Sequence, residues 1–179
     1  MNHIIRSLKY EEVVLCGHSL GGAIVQSYYY SFPQRVKALV LIGTGGRLRV
    51  SPVILDGLKS NYDKFLKELP SGAFNNNTSV DIINDYIKET STVGANVTFT
   101  DFSICDTFDT IEKTSSINVP CLIIVGKDDK LTPIKYSEFF HNKIESSDLH
   151  IIDDAGHMVM LEKPIEVNQA IKDFINNYF

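Results

Sequence analysis

In the stretch Val13-Val14-Leu15-Cys16-Gly17-His18-Ser19-Leu20-Gly21-Gly22, an apolar run passes into Gly-x-Ser-x-Gly and then into a helical pattern. The run is rich in β-branched residues and lacks polar alternation, which reads as a buried strand. Residues 21–30 read as a helix that Phe32-Pro33 stops. A serine at a tight strand-to-helix turn is lifted above the sheet edge, the arrangement a nucleophile elbow requires. On this reading Gly17 and Gly21 are small because side chains beside the serine would collide with backbone, while Gly21 and Gly22 let the helix pack close to the sheet. The N-H of Leu20, at the helix N-terminus, is then placed to meet a developing oxyanion.

Working outward, residues 38–42, 121–125 and 150–152 with its neighbours repeat the buried-strand pattern. Helical patterns lie between them, as crossovers between parallel strands demand. The expected fold class is therefore α/β, a predominantly parallel sheet of about four strands with flanking helices. Thr132-Pro133 reads as an N-cap followed by proline at the first helical position, opening a helix toward Lys143. Residues 165–179 carry Val167, Ile171, Phe174, Ile175 and Tyr178 at helical spacing, a stripe suited to cover the sheet. Residues 47–116 are too long for an ordinary connection. They read as a helical cap inserted into one domain spanning 1–179, with helical patterns over 55–69 and 80–89 and turns at Asn75-Asn76-Asn77 and Gly94-Ala95-Asn96.

Composition narrows the function. With 179 residues, 44 % of them apolar, the chain can bury one proper core. A net charge of -5 without Lys/Arg blocks argues against nucleic acid or an anionic membrane as partner and leaves a small molecule. Three cysteines, Cys16, Cys105 and Cys121, show neither disulfide nor zinc spacing. That usage, a short N-terminal apolar run preceded by Glu11-Glu12, and no stretch of roughly 18 apolar residues give the expectation of a soluble, cytoplasmic protein.

A serine hydroxyl needs a base to take its proton and an acid to hold that base. Of five histidines, His157 in Asp153-Asp154-Ala155-Gly156-His157-Met158 follows the last strand, at the same end of a parallel sheet as Ser19. His18 reads as structural or pocket-lining, and His3, His141 and His150 as ordinary polar residues of a terminus, a helix and a strand. After the third strand comes Gly126-Lys127-Asp128-Asp129. Only one of the two aspartates can face the histidine, and Asp128 reads as a solvated turn residue. Asp153 and Asp154 are too close in sequence to His157 to reach its Nδ1. Asp101, Asp106 and Asp109 read as surface or capping residues.

Taken together, Gly17-His18-Ser19-Leu20-Gly21-Gly22, Gly126-Lys127-Asp128-Asp129 with Thr132-Pro133, and Ala155-Gly156-His157 resemble the motifs of the alpha/beta-hydrolase superfamily, in its order Ser, Asp, His. The resemblance implies Ser19 as nucleophile, His157 as base, and Asp129, three residues past the strand-ending glycine, as acid, with no metal or organic cofactor. Met158-Val159-Met160-Leu161-Glu162-Lys163-Pro164 and Asp106-Thr107-Phe108-Asp109 are similar to small-cap esterases, lactonases and carbon-carbon bond hydrolases. Small carboxylic esters or lactones are the expected substrates; peroxidation and carbon-carbon cleavage share the same triad. Phe65, Phe74, Phe99, Phe102 and Phe108 could line the pocket, core being the commoner role.

Superfamily members usually carry some four strands before the nucleophile strand, whereas twelve residues precede Val13 here. The family's second oxyanion donor comes from that region, and losing one donor typically costs about 100- to 1,000-fold in turnover. Val13-Val14-Leu15-Cys16 is then an open sheet edge, suited to pairing with a second copy or a complementing chain. The alternative to an enzyme is thus a non-catalytic or partner-dependent fragment with an incomplete oxyanion hole.

Overall fold

A computed structural model describes residues 1–179. Four strands, β1 (Val13–His18), β2 (Val36–Ile42), β3 (Cys121–Gly126) and β4 (Ser147–Ile152), form one sheet in the order β1-β2-β3-β4, every neighbouring pair parallel. All four expected strands are present, each longer by one to three residues at one or both ends. In register, His18 lies beside Ile42, Leu41 beside Ile123, and Gly126 beside Ile152. The loops that follow the strands therefore share one rim, where the ligand sites of open parallel sheets lie.

In chain order the helices are α1 (Asn2–Ser7), α2 (Leu20–Ser31), α3 (Pro52–Ser60), α4 (Tyr62–Glu68), α5 (Pro70–Ala73), α6 (Val80–Val93), α7 (Ala95–Thr107), α8 (Ile134–Lys143), α9 (Val159–Glu162) and α10 (Pro164–Tyr178). Side-chain alternation along the central strands sorts the core into two layers. Leu39, Leu41 and Ile123 pack with Val25, Tyr28 and Tyr29 of α2 and Phe140 of α8. Ala38, Val40, Ile42, Leu122 and Ile124 face the other way, against Val159 of α9 and Val167, Ala170 and Phe174 of α10. Each fully buried Leu or Ile in these layers contributes roughly 1.5–3 kcal/mol relative to exposure. β1 pairs with β2 alone and stands at the sheet edge, with Val14 and Cys16 exposed.

Five helices, α3 to α7, fill the connection between β2 and β3. Leu58, Phe65, Leu66 and Leu69 form a small separate cluster there, joined by Ile54, Tyr62, Tyr86, Phe99 and Phe102. At the base of this segment Arg47 and Asp109 form an ion pair at 2.6 Å, and Thr110 N-H donates to the Gly46 carbonyl at 2.6 Å.

Two local expectations fail. Ala95 and Asn96 lie inside α7 rather than in a turn, and only Gly94, at φ +84°, makes the bend. The helix expected to start at Thr132-Pro133 begins at Ile134 with Pro133 as its N-cap, because the Thr132 side chain is bonded elsewhere. The Asn75-Asn76-Asn77 turn is present, closed by Asn77 N-H on Asn75 Oδ1 at 2.7 Å.

Candidate active site

Ser19 sits between the last residue of β1 and the first of α2 with φ +52° and ψ -118°. That combination belongs to the first central residue of a type II′ turn, where glycine is the ordinary occupant. The surroundings over-determine it. Ser19 N-H donates to the Ile42 carbonyl at 3.0 Å, while its own carbonyl accepts Gly22 N-H at 2.9 Å and the Thr44 hydroxyl at 2.9 Å.

The glycines explain how so sharp a bend fits. A Cβ on Gly17 would lie 2.2 Å from the Gly21 carbonyl oxygen, and one on Gly22 would run into the Thr44 side chain at 2.4 Å. At Gly21 a Cβ would meet nothing within 4 Å, contrary to the expectation that it too avoids a collision. The close approach is that of the Gly21 carbonyl to Gly17. Leu20 opens α2, so its N-H has no carbonyl one turn back to bond.

The candidate acid and base meet at the same rim. Asp129 and His157 are both 5 % exposed, and His157 Nδ1 lies 2.9 Å from Asp129 Oδ2. Asp129 Oδ1 accepts the N-H groups of Leu131 (2.9 Å) and Thr132 (2.8 Å), and Oδ2 accepts the Thr132 hydroxyl at 2.7 Å. Burial alone would raise this carboxyl; the bonds from His157 and Thr132 outweigh it and hold Asp129 below the ordinary carboxylate range. The carboxylate can only accept, so Nδ1 of His157 carries the proton and Nε2 is left bare. The loops approach as closely as backbone allows, since a Cβ on Gly126 would lie 2.2 Å from the Gly156 carbonyl oxygen.

His18 lines the site, as expected. Its Nε2-H donates to the His157 carbonyl at 2.9 Å, and the two rings lie 4.6 Å apart. Burial, followed by the nearby His157, lowers its pKa to about 4, so it stays neutral beside the candidate base. The rival acids are occupied elsewhere: Asp153 pairs with Lys127 at 2.6 Å, Asp128 accepts the Asn75 amide at 2.7 Å, and Asp154 is exposed. Asp109 holds Arg47, and Asp106 accepts Val50 N-H at 3.0 Å.

Ser19, Leu20, His18, Thr132 and His157 line a cavity of about 550 Å³ whose opposite wall is Ile54, Leu69, Tyr86, Phe102 and Cys105 from the helical segment. Ser19 and His157 both line this cavity, with no hydrogen bond between their side chains. Bonds of this kind are often long in an empty site and tighten around substrate. Of the five phenylalanines considered, only Phe102 reaches the cavity; Phe65 and Phe74 are core residues at 7 % and 2 % exposure. Burial and then Asp101 push the Cys105 thiol up to about 11, so it offers no rival thiolate. No group of three or more His, Cys, Asp or Glu side chains adopts metal-ligating geometry.

Comparison with known proteins rests on the same elements. The profile of the family described as serine aminopeptidase, S33, matches residues 1–164. The chain belongs to this family of alpha/beta hydrolases. A solved structure of a thermophilic esterase is 43 % identical and superposes with a TM-score of 0.90, over 99 % of this chain and 71 % of the esterase. Proline iminopeptidase of Saccharolobus solfataricus is 27 % identical over 94 % of this chain and 64 % of its own length. The 2-hydroxy-6-oxo-2,4-heptadienoate hydrolase of Pseudomonas putida is 27 % identical over 96 % and 66 %. The chain thus spans about two thirds of the length of these relatives.

Thr44 and Thr132, bonded to the Ser19 carbonyl and the Asp129 carboxylate, were missed by sequence reasoning. For Thr132 a signal existed, since Asp-x-x-Thr beyond a strand lets the hydroxyl and N-H fold back onto the carboxylate. Thr44 is placed by the sheet, and nothing local marks it.

Proposed function

We propose that this chain carries the catalytic machinery of a serine hydrolase acting on small carboxylic esters or lactones, with residues 47–116 as a cap over the site. The observation that carries the reading is that Ser19 and His157 line one cavity, with Asp129 bonded to the His157 imidazole at 2.9 Å. Nε2 of His157 takes the Ser19 proton as Oγ attacks the carbonyl carbon, and Asp129 holds the imidazole in the required tautomer and offsets its charge. Leu20 N-H meets the oxyanion. His157 then returns the proton to the departing alcohol; water, deprotonated by the same nitrogen, cleaves the acyl-serine and regenerates the hydroxyl.

The preference for esters is supported by the esterase at 43 % identity. The apolar far wall of Ile54, Leu69 and Phe102 suits an acyl or alkyl group. A fluorophosphonate probe tests the reading. It should label the purified chain at Ser19 and fail on Ser19→Ala, and an unlabelled, well-folded wild type would defeat it. A second reading is favoured by the open β1 edge. On that reading the chain works only when a second copy or a complementing chain pairs β1, and labelling would then appear only with that partner added. Hydrolysis of a prolyl anilide in place of an ester would move the substrate class toward that of the iminopeptidase.

A further inference from the structure

Residues 73–78, from the last residue of α5 toward the start of α6, touch both loops that carry the candidate acid and base. Met158 N-H donates to the Ala73 carbonyl at 3.0 Å, and the Asn75 side-chain amide donates to Asp128 Oδ2 at 2.7 Å. The joint itself is Glu162, at the end of α9. Its Oε2 accepts the N-H of Gly156, the residue before His157, at 2.7 Å. Its Oε1 accepts Asn75 N-H at 2.8 Å and the Thr78 hydroxyl.

All three partners are neutral donors, so the position calls for an acceptor at both oxygens, which a carboxylate supplies and an amide cannot. The packing beneath leaves no slack. A Cβ on Gly156 would lie 2.7 Å from the Phe74 carbonyl carbon and 2.8 Å from Asn75 N. Between the end of β4 at Ile152 and the start of α9 at Val159 the base loop has no helix or strand of its own. Its backbone is held by what it touches.

We infer that Glu162 is a positioning residue that fixes His157 against the helical wall of the cavity, through the segment leading into α6 and its cavity residue Tyr86. The inference rests on the proposed role of His157. Without the carboxylate, Gly156 N-H loses its partner and the imidazole can drift from the line between Asp129 and Ser19. Alignment of the base thus depends on how residues 73–78 are seated.

The test uses Glu162→Gln, Thr78→Val and the double variant. Glu162→Gln turns an amide NH₂ toward a backbone N-H, donor against donor. It should lower kcat on a chromogenic ester about 100-fold with KM within about 2-fold of wild type, the scale of a misplacement near 1 Å. The double variant should be no worse than Glu162→Gln, because the Thr78 hydroxyl then has no carboxylate to lose. Independently of activity, the downfield ¹H NMR resonance of the His157 Nδ1 proton should be present in wild type, shift in Thr78→Val and be lost to exchange in Glu162→Gln. A variant with lowered Tm but wild-type kcat and an unchanged resonance would reduce Glu162 to a structural brace and overturn the inference. Should Glu162→Gln not fold, an unmoved resonance in Thr78→Val overturns it equally. A wild type that cleaves nothing, yet whose resonance is lost in Glu162→Gln, would sink the hydrolase reading and leave the positioning role standing.

Discussion

β2 and α6 lie in the same chain but are held in different ways. Every residue of β2 except Lys37 is buried, between two helical layers. In α6 no residue is fully buried, in α7 only Thr98, and in α3 only Leu58. One wall of the cavity thus stands on loops at the rim of the buried sheet, and the other is a thin layer with its own small core. Chemistry that tolerates errors of a fraction of an ångström is carried by the first. The second presents apolar surface and touches the His157 loop only through the segment at 73–78.

The sharpest way to break this contrast is at the dense wall. Asp129→Asn should lower kcat on the order of 10⁴-fold, because an amide can hold the wrong imidazole tautomer. Unchanged turnover in a steady-state ester assay would remove Asp129 from its role. Next in size, Leu122→Ala, in a side chain with no exposure, should cost about 4–5 kcal/mol in urea denaturation, against about 3 kcal/mol for Leu66→Ala in the thin layer. Equal costs would mean that the two walls are equally well packed.

His18 supplies a pH version of the same test. Its folded pKa of about 4 lies below the ordinary 6.5, so the unfolded chain binds its proton first as the solution is acidified. This contribution to stability is complete above about pH 6.5 and falls by up to about 3 kcal/mol as pH drops to about 4. His18→Gln should flatten that slope in melts run across the window; an unaltered slope would assign it to other groups. The smallest effect expected is at the thin wall. Phe102→Ala should raise KM about 10-fold and leave kcat nearly intact, as loss of uniform apolar binding does. A matching drop in kcat would show that this wall aligns the reaction as well as bounding it.

Legibility in the sequence follows the same division. The central strands β2 and β3 could be read because continuous apolar runs such as Leu122-Ile123-Ile124-Val125 suit a strand covered on both faces, whereas β1 and β4, also read as buried runs, stand at the sheet edges with Val14, Cys16, His150 and Ile151 exposed. The gathering of Ser19, Asp129 and His157 at one rim could be read because each follows a strand end. Helix α7 could not: Val97 and Ile104 are half exposed while Phe99 and Phe102 join the helical cluster, so its apolar residues form no single stripe. Its β-branched Val97, Thr98 and Thr100 also weaken the local helical preference. Thr132 was hidden by a stronger local pattern, Thr-Pro before a helix. Glu162 was hidden because its partners, Asn75, Thr78 and Gly156, lie far apart along the chain.

The dihedral angles at Ser19 carry an evolutionary consequence. Glycine would occupy φ +52°, ψ -118° without the roughly 1–3 kcal/mol penalty a side chain incurs there. A lineage selected for thermal robustness alone should therefore drift toward glycine at this site, discarding the hydroxyl first and keeping the barren scaffold. Persistence of a serine at so unfavourable a bend would record selection for what its oxygen does.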